Sequence, residues 1–254
     1  MNTDSHRPAL HVTPTLGWLN DPNGLIHWRG QHHLFYQHNP KAARWGNIHW
    51  AHVTSSDLIH WQSQPYALAP DSSFDAAGCW SGSALEVNGE LHLFYTATSR
   101  YDPVDDSGAP TIALASSRDG VHFMKRGVVL EPPHPLTFLR ARSGEWMGWR
   151  DPVIWRDKNR YLMTVGAGIR GRGGVVMLYE SSNLETWTEV GELRRGGRAP
   201  ARGVGSGRGL GVSATAAHER RRRAAAVPVD EPAGIIARGA RRTFRRLEVS
   251  RFVA

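Results

Sequence analysis

A long internal repeat is the feature of this sequence that most limits the folds available to it. Three short segments resemble one another, each with two serines, an Asp or Asn, and a final aromatic residue: Ser55–Trp61, Ser116–Phe123 and Ser181–Trp187. Their final aromatic residues lie 62 and 64 residues apart. Self-similarity at a long, nearly fixed period is typical of folds that repeat one structural unit, so the chain is predicted to consist of such units.

Each unit contains several short strand-like runs with polar turns between them. An apolar run precedes each repeated segment, and a hairpin-like pair of runs lies further upstream, turning at Arg29-Gly30, Asn88-Gly89 and Asp157-Lys158-Asn159. Asn-Gly between alternating apolar runs is a strong hairpin signal. Each unit is therefore predicted to hold three or four short antiparallel strands and no helix.

This pattern favours an all-β fold built from β-propeller blades. A β-sandwich also has short strands and many turns, but it gives no reason for a long internal repeat. Propellers typically have at least four blades, whereas three units are visible here. The chain is therefore expected to hold an incomplete ring of about three blades.

The charge of the chain divides it into two parts. Residues 1–193 hold 16 Lys+Arg against 19 Asp+Glu, a net charge of −3, while residues 194–254 hold 15 Arg against 4 Asp+Glu, a net charge of +11. All 10 Trp and all 6 Tyr precede residue 188. We predict a partial propeller over 1–193 and a tail over 194–254 that is either disordered or translated out of frame.

Two interpretations of this Arg/Gly/Ala-rich tail remain open. A frameshift in a GC-rich gene near residues 195–200 explains the sudden excess of Arg, Gly, Ala and Pro, and the nucleotide sequence of the gene would test it. A genuine basic extension would instead bind an anionic surface or nucleic acid in a salt-sensitive way. Because the tail lacks interleaved aromatic residues and a nucleic-acid-binding motif, no nucleic-acid partner is expected.

The remaining composition indicates a cytoplasmic protein that does not enter a membrane. Cys79 is the single cysteine, which excludes an internal disulfide framework. No stretch approaches the roughly 18 apolar residues of a membrane span. The polar segment Met1–Leu10 has no apolar core like that of a secretory signal. The oligomeric state is left open.

Aligning the three units by their first strands brings polar residues into register. Asp21 lies just before the first predicted strand of unit one, Trp80-Ser81 occupies the same place in unit two, and Arg150-Asp151 in unit three. The innermost strands of propeller blades line a central channel. These residues are therefore predicted to converge at the mouth of one funnel, where two carboxylates, an arginine and an indole make a plausible sugar site.

At these positions the sequence resembles glycoside hydrolase family 32, the family of invertases, sucrose-6-phosphate hydrolases, levanases and inulinases. The resemblance covers about residues 8–193 and rests on an ordered set of motifs: Trp18-Leu19-Asn20-Asp21-Pro22-Asn23-Gly24, Phe35-Tyr36-Gln37-His38-Asn39-Pro40, Trp45-Gly46, His49-Trp50, Trp80-Ser81-Gly82-Ser83 and Arg150-Asp151-Pro152. A single Asp-Pro-Asn-Gly would be weak evidence because it is a common turn. The complete ordered set is specific.

The resemblance implies a five-bladed propeller followed by a β-sandwich, of which this chain would hold three blades and no sandwich. It implies a retaining hydrolase of β-D-fructofuranosides such as sucrose, sucrose 6-phosphate or short fructans. Asp21 would be the nucleophile and Asp151 the stabiliser of the transition state. Residues matching substrate-binding positions are Asn20, Gln37, Trp45, Trp80, Ser81 and Arg150. Neither a cofactor nor a metal is implied.

A third carboxylate, the general acid/base Glu that the resemblance implies, has no match in this sequence. The window where it is expected, residues 195–210, contains no Asp or Glu. Glu189 and Glu192 come earlier, where the last strand of the third unit is expected. Catalysis is therefore predicted to be impaired, and a non-catalytic fructan-binding protein remains an alternative.

Simpler structural roles are alternatives for several of these residues. Asp21 and Asp151 each adjoin a proline and can be turn residues, and Trp45 and Trp80 can be core aromatic residues. Trp28, Trp61, Trp155 and Trp187 are predicted to be core. His49, His52 and His60 are spaced like metal ligands, but strand alternation is expected to scatter them.

Overall fold

The fold is described from a computed structural model, which covers residues 7–8, 10–102, 107–133, 146–169 and 173–195. These ranges contain nearly all of the predicted propeller segment. Apart from residues 194 and 195, the tail lies outside the described residues. The two predictions for that tail, disorder or a frameshift, are therefore not addressed by the structure.

The described residues form three separate four-stranded antiparallel sheets, as predicted from the repeat. The first sheet has the order β1-β2-β3-β4, the second β5-β6-β7-β8, and the third β9-β10-β11-β12. The strands are β1 Trp18–Trp28, β2 Gln31–Asn39, β3 His49–Ser55, β4 Gln62–Leu68, β5 Gly78–Val87, β6 Glu90–Asp102, β7 Ser107–Ser117, β8 Met124–Leu130, β9 Trp146–Asp157, β10 Arg160–Ile169, β11 Gly173–Ser181 and β12 Thr188–Arg195. Each sheet follows the chain strand by strand, which is the arrangement of a propeller blade.

The first strand of each sheet lies next to the first strand of the following sheet. β1 contacts β5, and β5 contacts β9, whereas the fourth strands lie at the opposite edges of their sheets. β1, β5 and β9 are therefore the innermost strands of three consecutive blades. This arrangement places the polar residues of the three units along one shared inner surface.

The predicted hairpin turns are present at the start of each blade. Arg29 and Gly30, between β1 and β2, have φ angles of 48° and 77°, and Asn88 and Gly89, between β5 and β6, have φ angles of 53° and 79°. Two consecutive positive φ angles are characteristic of the type I′ turn, whose twist matches that of the strands it joins. The sequence signal at these turns is therefore explained by their geometry.

The repeated serine-containing segment is the connection between the third and fourth strands of each blade. In the first blade, the Ser55 hydroxyl accepts hydrogen bonds from the backbone N–H of Asp57 and of Leu58, while the Asp57 carboxyl accepts from the N–H of Ile59 and His60. Corresponding bonds recur in the later blades at Ser117 and Ser181. The 62- and 64-residue spacing therefore reflects one side-chain-capped turn, used three times.

One position in this turn requires a left-handed backbone. Leu58 has a φ angle of 64° and Leu184 one of 72°, while Gly120 stands at the equivalent position with 75°. A Cβ added at Gly120 would lie 2.6 Å from Trp28 and 3.0 Å from His33, both in the first blade. Glycine is needed in the second blade because the neighbouring blade packs directly against the turn.

We expect Gly120→Ala to destabilise the protein more than Gly89→Ala, and urea unfolding measures both. The two glycines have similar φ angles, but nothing lies within 4 Å of a Cβ added at Gly89. The left-handed backbone should cost each variant about 1 kcal/mol. Overlap with Trp28 should cost Gly120→Ala about 1 to 2 kcal/mol more. Equal losses in the two variants would contradict the proposed packing between blades.

The hydrophobic core lies between adjacent sheets. Fully buried Phe35 and Trp50 of the first sheet pack with Leu93 and Tyr95 of the second. The second and third sheets meet in another cluster, which includes Phe94, Ile112, Trp149 and Met163. Because each sheet is buried on the face that meets its neighbour, the blades stabilise one another and hold their inner strands in fixed relative positions.

A buried ion pair ties the connection between the first two blades to the second blade. Lys125 on β8 lies 2.5 Å from Asp75 and 2.6 Å from Asp71, both in the connection from β4 to β5. The fully buried Asp75 carboxyl also accepts a 2.8 Å hydrogen bond from the Tyr95 hydroxyl. Pairing and hydrogen bonding are what allow a charged group to be buried. The connection between the two blades is thereby fixed to the outer strand of the second.

The tryptophans predicted to be core differ in their exposure. Trp28 and Trp187 are buried, while Trp61 and Trp155 are half-buried. Trp61 packs at the edge of a small apolar cluster on the outer face of the first blade. Within the described ranges, no helix is long and apolar enough to span a lipid bilayer.

Candidate functional site

Each innermost strand carries one extra residue at an equivalent position, and these residues include the predicted site residues. Asp21 is the extra residue between the pairs Asn20–Gln37 and Pro22–Tyr36, and Ser81 is the extra residue between Trp80–Thr96 and Gly82–Tyr95. In the third blade, Asp151 and Pro152 together face a single residue of β10. Such β-bulges bend a strand and redirect a side chain.

The bulges correct one expectation from the sequence. Asp21 was expected just before the first strand of its blade, but it lies inside β1, which begins at Trp18. Ser81 and Asp151 likewise lie inside β5 and β9. The motif around Asp21 has the composition of a turn, yet a bulge allows the strand to continue through it. The expected convergence of the three positions does not depend on this difference.

A chain of hydrogen bonds ends on the Asp21 carboxyl. The Trp18 indole N–H donates to Asn20 at 2.8 Å, the Asn20 amide donates to Gln37 at 2.7 Å, and the Gln37 amide donates to the Ser81 hydroxyl. Ser81 then donates to Asp21 Oδ2 at 2.7 Å. Every donor in this relay points towards the carboxyl group, which is therefore held in one orientation.

Asp21 differs in solvent exposure from the side chains that hold it. Asp21 is exposed at the inner surface, whereas Gln37 and Ser81 are buried and hydrogen-bonded to each other. The arrangement brings Asn20, Gln37 and Ser81 together with Asp21 in one network of hydrogen bonds. Gln37 and Ser81 are buried behind the Asp21 carboxyl group and are not exposed at the inner surface.

Asp151 occupies a constrained position on the innermost strand of the third blade, β9. Its φ angle is 60°, which is uncommon for a residue other than glycine and costs about 1 to 3 kcal/mol unless surrounding contacts hold it. Arg150 Nε lies 3.3 Å from Asp151 Oδ2. Backbone strain of this kind is typical of functional positions.

Burial and charge make Asp151 easier to protonate than an ordinary aspartate. Burial raises the pKa of Asp151 to about 6, the adjacent Arg150 partly offsets this, and the negative charge of Asp21 raises it further. Hydrogen bonds tie both aspartates to the second blade: Asp21 accepts from the Ser81 hydroxyl, and the Asp151 N–H donates to Thr96, whose hydroxyl donates to the Ser81 carbonyl. Both predicted catalytic carboxylates are therefore held beside Ser81.

Two hydroxyl groups of the second blade hold the strand segment around Asp151, and sequence reasoning missed both. Thr96 accepts a hydrogen bond from the Asp151 N–H at 2.9 Å, and Ser83 donates to the Pro152 carbonyl at 2.9 Å. Thr96 lies within an apolar strand and Ser83 within the Trp80–Ser83 motif, so the sequence contains no separate indication of a supporting role for either residue. Their roles become apparent only when the second and third blades are side by side.

An aromatic cluster lies between the first and second blades. The rings of Trp45 and Trp80 are 5.5 Å apart, and Tyr101 lies 5.0 Å from Trp45 and 5.3 Å from Trp80. Trp45 is 38% exposed, whereas Trp80 is 5% exposed. Trp45 therefore presents an indole surface to solvent, while Trp80 has largely the buried character of a core residue. Tyr101 was not singled out from the sequence.

The histidines with metal-like spacing are scattered, as strand alternation predicted. His52 is buried against His33, with 3.1 Å between their ring nitrogens, and its pKa is lowered to about 3 by burial and by His33. His60 is exposed and pairs with Asp57, whereas His49 bonds to the carbonyl of Asn47. No group of three metal-ligating side chains occurs among the residues that the structure describes.

Glu189 and Glu192 lie in the same blade as Asp151 but far from it. Both residues are on β12, three strands away from β9, which carries Asp151. At about 4.8 Å per strand, this separation is about 14 Å. The sequence assigned neither residue the acid/base role, and their distance from β9 gives no reason to assign it to either of them.

Comparison with known proteins identifies relatives of this chain. The family model described as "Glycosyl hydrolases family 32 N-terminal domain" matches residues 11–202. A sucrose-6-phosphate hydrolase from Escherichia coli is 45% identical over 183 residues, which cover 71% of this chain and 36% of that protein. The chain thus spans little more than a third of this relative's length.

Solved structures resemble the fold as well. The sucrose-6-phosphate hydrolase from Lactobacillus gasseri superposes with a TM-score of 0.66 at 34% identity, covering 75% of this chain and 37% of that one. A family 32 β-fructofuranosidase from Bombyx mori, solved as a variant in complex with sucrose, gives a TM-score of 0.61 at 35% identity, covering 75% of this chain and 38% of that one. The described sheets thus match part of longer enzymes.

Proposed function

Because this chain belongs to glycoside hydrolase family 32, we propose that it carries the nucleophile side of a retaining β-fructofuranosidase site. The substrates would be sucrose, sucrose 6-phosphate or short fructans. The observation that supports the proposal is that Asp21 on β1 and Asp151 on β9 are held on either side of the bulge at Ser81 on β5, and that the charge of Asp21 raises the pKa of Asp151. The proposed catalytic segment is 1–193.

In the proposed mechanism Asp21 attacks the anomeric carbon of the fructosyl unit. The bond between that carbon and the leaving-group oxygen breaks as the Asp21 ester forms, and with no general acid assigned the leaving oxygen takes its proton from water. A second water then hydrolyses the ester with retention of configuration. Ser81 keeps the attacking carboxyl oriented by donating to Oδ2, so the second oxygen, Oδ1, is the one available for attack. Pre-orientation lowers the entropic part of the barrier.

Asp151 and Arg150 would bind the hydroxyl groups of the fructosyl unit. A carboxylate accepts hydrogen bonds from hydroxyls, and these bonds strengthen as positive charge develops on the sugar ring in the transition state. The exposed indole of Trp45 would cover an apolar face of the substrate, a contact that aromatic rings make readily. Three further residues complete the proposed site by supporting the groups that would contact the sugar: Asn20, Gln37 and Trp80.

The leaving group should decide how fast the proposed site works. No acid/base Glu is assigned in this chain, and general acid catalysis contributes about 10²- to 10⁴-fold. Sucrose has a poor leaving group and needs this help, whereas β-D-fructofuranosyl fluoride does not, because fluoride departs without a proton. Sucrose cleavage should therefore be slower than fluoride release by a factor of about 10² or more.

Fluoride release and fructose release from the full chain test this proposal together. Consumption of the fluoride with slow cleavage of sucrose is the expected result. Fructoside binding without consumption of either compound would instead support a non-catalytic fructan-binding protein. Equal rates on the two substrates would contradict the predicted impairment and would require an acid group elsewhere in the chain.

We expect Ser81→Ala to slow fluoride release by about 10-fold or more, because the Asp21 carboxyl and the Gln37 amide would both lose their partner. Stopped-flow detection of fluoride measures this effect. Ser55→Ala is the control, since it removes another buried serine hydroxyl, which lies in the outer turn of the first blade. A similar loss of rate in both variants would contradict the orienting role of Ser81.

The remaining properties are proposals of smaller scope. The partner would be a small-molecule or oligosaccharide fructoside, with no cofactor required by the proposed chemistry. A cytoplasmic location agrees with the free thiol of Cys79, which is buried rather than paired. Measuring sucrose 6-phosphate against sucrose as competitors of fluoride release would rank the two proposed substrates.

A further inference from the structure

The geometry points to Thr96 as a positioning residue that sets where the Asp151 carboxyl stands opposite Asp21. Thr96 is fully buried on β6, one strand outward from the inner surface. It therefore cannot touch a sugar in the channel, and any influence on the site must act through its neighbours. This inference rests on the proposed function for its biological meaning, but its structural content can be tested independently.

The Thr96 hydroxyl joins the bulge of the second blade to that of the third. It donates a 3.1 Å hydrogen bond to the Ser81 carbonyl and accepts a 2.9 Å hydrogen bond from the Asp151 N–H. Neither Ser81 nor Asp151 has a directly paired residue in the sheet ladder. One hydroxyl group therefore provides a partner to a backbone group in each of the two bulges.

This bridge acts on the residue whose backbone is strained. Asp151 has a φ angle of 60°, a conformation that persists only when its surroundings determine it. The direction of the Asp151 side chain depends on that backbone conformation, because the Cβ position follows from it. Holding the Asp151 N–H therefore also fixes the direction in which its carboxyl group points.

The same hydroxyl links the two sides of the proposed site. Ser81 offers its side chain to Asp21 at 2.7 Å and its carbonyl to Thr96. Asp21, Ser81, Thr96 and Asp151 thus form a continuous path across the first three blades, with Thr96 at its centre. A shift at Thr96 would change the relative positions of the two carboxylates, and a displacement of about 1 Å can cost about 10²-fold in rate.

The chain offers a matched control two residues further along the same strand. Thr98 is also fully buried on β6, but its hydroxyl has no hydrogen-bond partner. Thr96→Val and Thr98→Val make the same isosteric change, in one case removing the bridge and in the other removing an unpaired hydroxyl. Thr96→Ser retains the hydroxyl and should restore the bridge.

The test is the titration of the Asp151 carboxyl by NMR in the full chain. Burial, opposed by Arg150 and reinforced by Asp21, raises the pKa of Asp151 to about 6 in the unaltered protein. In Thr96→Val we expect this pKa to fall towards the ordinary value of about 3.9, since the released segment moves towards solvent. Thr96→Ser and Thr98→Val should retain the higher pKa. An unchanged pKa in Thr96→Val would overturn the proposal.

A second measurement does not require a variant that folds. The Asp151 amide lacks a ladder partner, so the bridge to Thr96 predicts hydrogen exchange as slow as that of paired amides in β9. Rapid exchange of this amide in the unaltered chain would also overturn the proposal.

Fluoride release by the same variants separates failure of this proposal from failure of the proposed function. We expect Thr96→Val to lower the rate by about 10- to 10²-fold and Thr98→Val to leave it within about 3-fold of the original. If the unaltered chain reacts with no fructoside but the titration behaves as expected, the function is wrong and the positioning role of Thr96 stands.

Discussion

Asp21→Asn is expected to lower the rate of fluoride release from β-D-fructofuranosyl fluoride by about 10⁴-fold. Removing the nucleophile of a hydrolase usually costs at least this much, because no other group can form the covalent intermediate. An asparagine has almost the same shape and can keep a hydrogen bond with Ser81, so the fold should be retained. The loss should therefore appear in the chemical step, and stopped-flow measurement with saturating substrate would detect it.

Asp57→Asn is a suitable control because the repeat itself predicts its effect. Asp57 caps the outer turn of the first blade, and Asn183 makes the corresponding backbone hydrogen bonds in the third. The substitution should leave fluoride release within about 3-fold of the original rate. A decrease of less than 10-fold in Asp21→Asn would be incompatible with its assignment as the nucleophile.

Asp151→Asn is expected to have opposite effects on activity and on stability. Fluoride release should fall by about 10²-fold, since a carboxylate that stabilises the transition state is replaced by a neutral amide. The free energy of unfolding at pH 8 should instead rise by about 1 to 3 kcal/mol, because the variant no longer holds an ionised carboxyl in a buried position. Functional groups commonly reduce stability in this way.

The pH dependence follows from the direction of the pKa shift. The folded-state pKa of Asp151 is raised to about 6, mainly by burial, above the ordinary value. Between about pH 4 and pH 6 the folded state therefore holds a proton that the unfolded state has released, so stability falls as the pH rises through this range. The destabilisation is complete above about pH 6, with an upper limit of about 3 kcal/mol for a shift of about two units.

Urea unfolding of the original chain and of Asp151→Asn at pH 4 and pH 8 tests this prediction. The variant should gain stability relative to the original chain at pH 8 and little at pH 4. An equal gain in unfolding free energy at both pH values would mean that the pKa of Asp151 is not raised as described. Asp21→Asn offers a further check, because removing its negative charge should lower the pKa of Asp151.

The blades could be predicted from the sequence because the residues that define them act locally. Asn88-Gly89 adopts the two positive φ angles of a tight hairpin, and Ser55 with Asp57 caps the turn that repeats along the chain. Such signals require only a few neighbouring residues. Both the strand pairs and the period of the repeat were therefore visible before any tertiary contact was known.

The bulges in the inner strands could not be predicted in the same way. Asp21 adjoins Pro22, Asn23 and Gly24, which have the composition of a turn, and the sequence placed Asp21 outside β1 for that reason. Whether such a segment turns or continues as a bulged strand depends on its pairing with β2. That pairing is a tertiary property with only a weak local signal.

Supporting contacts between blades were also beyond local sequence reasoning. Thr96 lies 55 residues from Asp151 in sequence, and nothing in the apolar run around it indicates a hydrogen bond to another blade. The burial that raises the pKa of Asp151 likewise comes from the packed sheets. The resemblance to a family indicated the candidate site residues, while the structure shows which side chains and backbone groups hold them in place.

Peptide mapping by mass spectrometry after reaction with β-D-fructofuranosyl fluoride tests the central proposal most directly. Attack by the Asp21 carboxyl forms a new C–O bond, fluoride leaves with its bonding electron pair, and the protein gains one fructosyl unit. We expect this added mass on the peptide containing Asp21 and its absence from Asp21→Asn. Fluoride release without any adduct on Asp21, or an adduct on Asp151 instead, would contradict it.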